Sequence, residues 1–260
     1  MHQSLRVVQI TDTHLFADPH QALLGCPTWA TLTKVLTQVQ RYQPDVLLLT
    51  GDLSQDETPA SYQHLVDLLQ PLPCPIYWTG GNHDCRDTLA QVLTAGGVRP
   101  EKTWHQGGWQ FILLNSAVPG AVGGQLAATE INHLEHNLRQ GHQPTLVALH
   151  HPLLPVGSPW LDDSSVANPE RLWQVLDSHP QIKLVLCGHV HQERQWQRRG
   201  VTYYSSPSTC IQFAPQAQNF TLDTAFPGFR WLELDPQGTF RSGVSRIPCK
   251  WVLDAQATGY

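Results

Sequence analysis

The 260-residue sequence predicts an α/β fold, and three observations carry that expectation. Short, unbroken apolar runs alternate with segments of helical periodicity, as strands covered on both faces and their crossover helices require. Five of these runs lead straight into residues with metal-ligand chemistry, at the strand ends where open α/β sheets hold their ligands. After His191 the texture changes to short strand-like runs separated by turns such as Arg199-Gly200 and Pro236-Gln237-Gly238.

Taken in order, the chain opens with a strand, Leu5 to Ile10, followed by a polar loop to Pro27. A helix follows with Leu32, Val35, Leu36 and Val39 on one face, Thr28 as its expected N-cap and Pro44 as its stop. Asp45 to Thr50 shows no alternation, as a strand buried on both faces would, and delivers Gly51-Asp52. A helix over Pro59 to Leu69 comes next, and Pro71, Pro73 and Pro75 separate it from the strand Ile76 to Thr79. From Asp87 a short helix runs through Leu89, Val92 and Leu93, and strands are expected at Thr103 to His105 and Gln110 to Leu114. Helix Thr129 to Arg139 places Ile131, Leu134 and Leu138 on one face and leads to strand Leu146 to Leu149. The connection Leu153 to Ala167 is long and Pro-rich, which marks it as a wall of a functional site. Asn168-Pro169 reads as N-cap and first helical position of a helix to Ser178, followed by strand Ile182 to Cys187. The expected organisation is a βαβ half over residues 1–191, a second, largely antiparallel sheet over 192–249 stacked on it, and a tail from 250 to 260. No linker, repeat or low-complexity block interrupts it, so a single domain over 1–260 is the economical reading.

Composition narrows the function. An apolar share of 41% and 9 Trp fit a packed globule. With only 14% charged residues and a formal net charge of -5, the chain lacks the clustered cations that a nucleic acid polymer would need. Histidine stands out at 14 copies against 16 Lys plus Arg, and imidazole is the commonest ligand for transition metals. The six cysteines form no C-x-x-C pair, no apolar signal segment precedes the first strand, and no run approaches the ~20 apolar residues of a membrane span. These features lead us to expect a cytoplasmic protein with no membrane partner.

The chemistry centres on Thr79-Gly80-Gly81-Asn82-His83-Asp84, where two glycines permit a tight turn after a strand. Alone, such a turn would read as a polar hairpin tip. It is accompanied by Asp12 and His14, by Asp52, by His150, and by His189 and His191, each just past an apolar run. Residues two apart at a strand end point to one side, so Asp12-x-His14 and His189-x-His191 can each converge on an ion. A single D-x-H or H-x-H would otherwise be a solvated loop. The seven donors form an oxygen and nitrogen set without thiolate, suited to Fe, Mn, Zn or Co. They are too many for one tetrahedral ion and suit two ions sharing a carboxylate, an arrangement that clamps phosphoryl groups.

In that order, Asp12-x-His14, Gly51-Asp52, Gly81-Asn82-His83-Asp84, His150-His151-Pro152 and Gly188-His189-Val190-His191 resemble the signature of the calcineurin-like metallophosphoesterase superfamily. Longer strings, among them Gln9 to Phe16, Leu186 to Gln192, Pro207 to Phe213 and Asn219 to Thr224, resemble the bacterial class III 3',5'-cyclic-AMP phosphodiesterases. The resemblance implies a four-layer sandwich of two mixed β-sheets flanked by helices. It assigns one metal to Asp12, His14, Asp52 and His191 and the other to Asp52, Asn82, His150 and His189, with Fe and/or Mn expected first and Zn or Co as alternatives. His150 is favoured over His151 as the ligand. It makes His83 the catalytic acid with Asp84 as its orienting partner, and it sets His14, Asn82, His83 and His191 around the substrate phosphate. The implied reaction is metal-hydroxide attack on 3',5'-cyclic AMP to give 5'-AMP, in a monomer or homodimer. A broader small-molecule phosphodiesterase and a non-catalytic scaffold on the same fold are the alternatives. Loops Leu15 to Cys26 and Leu153 to Asp163 and segment Ser206 to Phe213 are the expected walls. Phe16, Trp160 and Phe213 are the aromatics that could stack on a base, although core packing is the default role of each.

Overall fold

The computed structural model describes residues 4–254, 256, 257 and 259. The first half runs β1 (Leu5–Ile10), α1 (Thr28–Tyr42), β2 (Val46–Thr50), α2 (Pro59–Leu69), β3 (Ile76–Thr79), α3 (Arg86–Ala95), β4 (Thr103–Gln106), β5 (Trp109–Leu113) and α4 (Ala128–Gln140). The second half runs β6 (Thr145–Ala148), α5 (Pro159–Asp162), α6 (Pro169–Ser178), β7 (Ile182–Cys187), β8 (Arg194–Arg198), β9 (Val201–Ser205), β10 (Gln212–Phe213), β11 (Leu222–Asp223), β12 (Gly228–Leu234) and β13 (Phe240–Arg246). Among the described residues no helix is long and apolar enough to cross a membrane.

Two mixed sheets stack face to face with helices outside, giving four layers. One sheet has the order β13-β12-β1-β2-β3 and the other β4-β5-β6-β7-β9-β8. Residue parity along the strands builds the layers. Val7 of β1, Val46 and Leu48 of β2, Phe111 and Leu113 of β5, and Leu146 and Leu184 of β6 and β7 fill the space between the sheets. Their neighbours Val8, Ile10, Leu47 and Leu49 face outward against Leu32, Val35, Leu65 and Leu89 of α1 to α3. Val147 and Val185 meet Leu134, Leu138, Leu172 and Leu176 of α4 and α6 on the opposite side. Burial on both faces explains why these strands carry no polar alternation.

Several expectations need correction. Apart from the small two-stranded sheet β10–β11, the residues after His191 do not make a second sheet of their own. The β8–β9 hairpin extends the sheet centred on β6 and β7, while β12 and β13 extend the sheet that holds β1. Without them β1 and β7 would each end their sheet with an open row of N–H and C=O groups, and pairing with later strands removes those edges. Helix α1 includes Thr28 and is entered from Pro27, which has no side chain to cap it. Asn168 stands at the cap position of α6, but its side-chain oxygen accepts from Leu126 N–H at 3.1 Å and its amide donates to Leu126 C=O at 3.2 Å. The long connection before it contains the short helix α5.

Candidate metal centre

All five ligand-bearing strand ends meet at one edge of the sandwich, and the backbone there is unusual. Asp12, His14, Asp52, His189 and His191 have φ of 56°, 45°, 52°, 67° and 47°, in the left-handed region that L-residues rarely enter. The pleat of an extended strand therefore does not aim the D-x-H and H-x-H pairs. Each pair lies beyond its strand, and alternating left-handed residues turn both side chains the same way. Hydrogen bonds hold the strain: Asp12 N–H donates to Gly51 C=O at 2.9 Å and His14 N–H to Asp52 C=O at 3.0 Å. Two glycines are demanded by close approach. A Cβ on Gly81 would lie 2.1 Å from Asp52 Oδ1, and one on Gly188 would lie 2.0 Å from Thr11 Oγ1.

The seven donors form two groups around one carboxylate. His191 Nε2 is 3.4 Å from Asp12 Oδ1 and 3.3 Å from His14 Nε2, which is 3.9 Å from Asp52 Oδ2. On the other side His150 Nε2 is 3.2 Å from the same Asp52 Oδ2 and 3.1 Å from Asn82 Oδ1. His189 joins the second group through its contact with the His150 ring, 5.2 Å between centroids.

Outer partners set which ring nitrogen faces the centre. His14 Nδ1–H donates to Gln55 Oε1 at 2.6 Å, His150 Nδ1–H to Thr50 C=O at 2.8 Å and His191 Nδ1–H to Ile211 C=O at 2.9 Å. Each therefore turns Nε2 inward, the usual arrangement behind a metal-binding imidazole. His189 is reversed. Ser164 donates its hydroxyl proton to Leu161 C=O, so at 2.8 Å from His189 Nε2 its oxygen accepts that nitrogen's proton. The lone pair left on His189 Nδ1 is buried and unpartnered, and Asp52 Oδ2 is buried with His150 Nε2 as its near neighbour. The facing Nε2 atoms of His14 and His191, this orphaned nitrogen and the buried carboxylate fit bound metal cations.

Sequence reasoning missed Gln55 and Ser164, since neither sits in a motif. It had no means of locating the carbonyls of Thr50 and Ile211.

His83 and His151 lie beside the donors. His83 N–H donates to Asp52 Oδ1 at 2.9 Å, and its half-buried ring stands 5.1 Å from that of His14. A ring nitrogen of His83 also comes within 4.8 Å of donor atoms of His14 and Asp52. His151 is held from both ends, with Nε2–H donating to Val122 C=O at 3.0 Å and Nδ1 accepting from Ser116 Oγ–H at 2.9 Å. Asp84 secures the turn, accepting from Gly81 N–H at 2.9 Å, Leu53 N–H at 3.0 Å, Ser54 N–H at 3.1 Å and the Tyr62 hydroxyl at 3.2 Å. The wall aromatics are engaged with one another. Phe16 and Phe213 are buried in a cluster with Val156, Leu161 and Cys210, Trp160 packs against it, and Phe213 stacks on the His191 ring at 4.3 Å.

A protein-family model described as calcineurin-like phosphoesterase matches residues 5–193, which hold every donor just described. The chain belongs to the calcineurin-like phosphoesterase family. A 3',5'-cyclic-nucleotide phosphodiesterase of Nostoc sp. is 42% identical over 257 residues, covering 98% of this chain and 97% of the relative. The 3',5'-cyclic adenosine monophosphate phosphodiesterase CpdA of Escherichia coli K12 is 41% identical over 261 residues, covering 98% and 95%. Among solved structures, a dimetal phosphatase from Danio rerio superposes with a TM-score of 0.67 at 13% identity, covering 96% of this chain and 99% of its own. A purple acid phosphatase from yellow lupin gives 0.70 at 15% identity, covering 95% of this chain and 52% of its own. At such identities these two show the shared fold alone.

The electrostatics of the phosphoesterase centre match ligand duty. Burial drives the His14 imidazole down to about 3 and that of His189 well below its ordinary value, which keeps both neutral and able to coordinate. Burial works against the Asp12 and Asp52 carboxylates, yet His191 beside Asp12 and His150 beside Asp52 hold both below the ordinary value. Burial also opposes charge on His150, but Asp52 raises it to about 9, so the protein by itself recruits positive charge to this spot. Among the described residues all six cysteines are unpaired, and none belongs to a donor group.

Proposed function

We propose that this phosphoesterase is a dinuclear phosphodiesterase that opens 3',5'-cyclic AMP to 5'-AMP. The observation that carries the reading is the buried carboxylate oxygen Asp52 Oδ2, placed between two donor groups with His14 Nε2 3.9 Å away on one side and His150 Nε2 3.2 Å away on the other. Asp12, His14, Asp52 and His191 would hold one ion, and Asp52, Asn82, His150 and His189 the other. The imidazole nitrogens and hard carboxylates favour Fe or Mn, with Zn and Co compatible. The ions would supply Lewis acidity at the phosphate and acidify a water for in-line attack.

The chain's own residues do the rest. Asn82 and His83, on the turn beside Asp52, and His14 and His191 opposite them line the position of the phosphate. His83 is half-buried and tied to Asp52 through its backbone, so its imidazole reaches the site without being enclosed by it. Its role is to protonate the departing 3' oxygen, and Asp84 orients it by fixing the turn from which it projects. His151, held at both ring nitrogens, is a wall and not a ligand.

The named activities of the relatives, matched over nearly full length, support cyclic AMP as the substrate. The unpaired cysteines favour the reducing cytoplasm, and the two sheets share one core, which favours a single domain working as a monomer or homodimer. The test is turnover of cyclic AMP, cyclic GMP and 2',3'-cyclic nucleotides with added Mn or Fe, together with metal analysis. The expected result is two ions per chain and a preference for cyclic AMP. Preference for 2',3'-cyclic substrates, or none among the panel, would replace this reading with a broader diesterase.

A further inference from the structure

A cavity of about 630 Å³ opens beside the metal centre and plays no part in the mechanism above. One wall is the turn Gly80-Gly81-Asn82, so the cavity begins where the second donor group ends. From there it extends between α3, the end of β5 and the loop Ala117 to Gly120, and is floored by Trp78, Leu89 and Leu113. The volume lies within the ~300–1,000 Å³ of sites that enclose small ligands.

Among the charged side chains that line it, which include Glu57, Arg86 and Asp87, Lys102 and Glu130 keep hydrogen-bonding capacity beyond their contacts within the protein. Lys102 donates one N–H to Trp78 C=O and lies 3.3 Å from the centroid of the Trp78 ring. An ammonium has three N–H donors, and among the described residues this one forms no ion pair. Burial also pushes Lys102 down to about 7, the behaviour of a cation held where water reaches it poorly. Glu130 accepts from Asn115 N–H through Oε2 at 2.9 Å, and its second oxygen can still accept. The cavity thus offers a donor and an acceptor above a hydrophobic floor. A planar ring with an acceptor nitrogen beside an exocyclic amino group, the pattern at N7 and N6 of adenine, matches it. The opposite wall has no free stacking face, because Phe16 and Phe213 are buried in their own cluster.

We propose that this cavity is the nucleobase subsite of the phosphodiesterase, with Lys102 donating to a ring nitrogen and Glu130 accepting from the amino group. The proposal rests on the cyclic AMP reading and names where the base goes. Its test compares cyclic AMP with methyl p-nitrophenyl phosphate, a small diester without a base, in the metal-loaded wild type, Lys102→Met, Glu130→Gln and Ala90→Phe. The last variant fills the cavity from α3 and leaves both polar groups in place. In each variant the loss of kcat/KM on cyclic AMP should exceed the loss on the base-free diester about tenfold, mostly through KM, as for one hydrogen bond to a charged group. Inhibition of the base-free reaction by AMP should weaken by a similar factor, while inhibition by inorganic phosphate should not follow it. Equal losses on both substrates, or an unchanged KM for cyclic AMP in all three folded variants, would overturn the subsite while leaving the activity standing. If the wild type fails to cleave cyclic AMP yet AMP inhibits in a Lys102-dependent way, the activity reading falls and the subsite stands. Inhibition by AMP that is no stronger than inhibition by phosphate overturns the subsite in every case.

Discussion

At the residue scale the proposed function gives different tasks to Asp52 and His83, which touch through a hydrogen bond from His83 N–H to Asp52 Oδ1. Asp52→Asn keeps the shape and removes the negative charge that two cations would share, so both ions should be lost and activity abolished. Metal analysis showing two ions per chain in that variant would refute the bridging role. His83→Ala should behave differently, retaining its metals and losing activity on cyclic AMP by ~10² to 10⁴-fold, the usual contribution of a general acid. The loss on an aryl phosphodiester should be much smaller, because a nitrophenolate leaves without a proton. Metal release from His83→Ala would make it a ligand. Its ring nitrogen lies within 4.8 Å of donor atoms of His14 and Asp52, which makes that comparison informative.

At the element scale the loop between β6 and α6 acts on the centre through Ser164, whose oxygen holds His189 Nε2–H and so fixes Nδ1 as the inward atom. Ser164→Ala removes that restraint and should weaken metal binding ~10- to 100-fold, as loss of an outer partner to a ligand does. Titration with Mn monitored by calorimetry measures it, and unchanged affinity would show that the ring needs no such support. The length and prolines of the loop single it out in the sequence, but nothing singles out Ser164, because one serine among several in a loop has no periodicity or spacing to mark it. Helices α2 and α6 could be read to the residue, since proline fixes where each begins. The cap of α1 could not, because Pro27 at that position offers no side-chain acceptor.

At the scale of the whole molecule, buried histidines set the response of the metal-free protein to acid. His14 and His151 are held at about 3 by burial, against an ordinary 6.5, and His189 is also depressed. Between those values the unfolded chain takes up protons that the folded one refuses, so stability falls as pH drops below about 6.5. Asp84, raised to about 7 mainly by burial, opposes this, because its folded carboxyl holds a proton between 3.8 and 7. His150, raised to about 9 by Asp52 against its own burial, opposes it too by holding its proton as pH falls to 6.5; the three depressed histidines outweigh these two groups, and the melting temperature of the metal-free chain should fall from pH 7 to pH 5. His151→Gln should flatten that slope, and an unaltered slope would count against a neutral His151. The convergence of the seven expected donors at one sheet edge could be anticipated, because each residue follows a buried strand whose apolar run announces it. Sheet membership after His191 was not, since alternation tells which face of a strand is buried but not which neighbour it pairs with.

That pairing has a consequence for how the protein is made. β1, the earliest of the described strands in the chain, is paired to β12, the last but one of them, in a register that sets Leu5 against Leu234. At ~5–20 residues per second, roughly ten to fifty seconds of synthesis separate the two. When the last donor, His191, has been made, the Ile211 carbonyl that aims it and the Ser208 hydroxyl that donates to Asp12 C=O at 2.7 Å are still to come, and β12 follows them. A chain ending at Gln192 would retain all seven donors and almost the whole stretch matched to the family, and it should neither retain metal nor resist protease. Nascent chains stalled before Gly228 should behave the same way, with the edge of β1 open to any passing strand. On that expectation metal would enter only a molecule in which β12 has already paired with β1 and covered its edge.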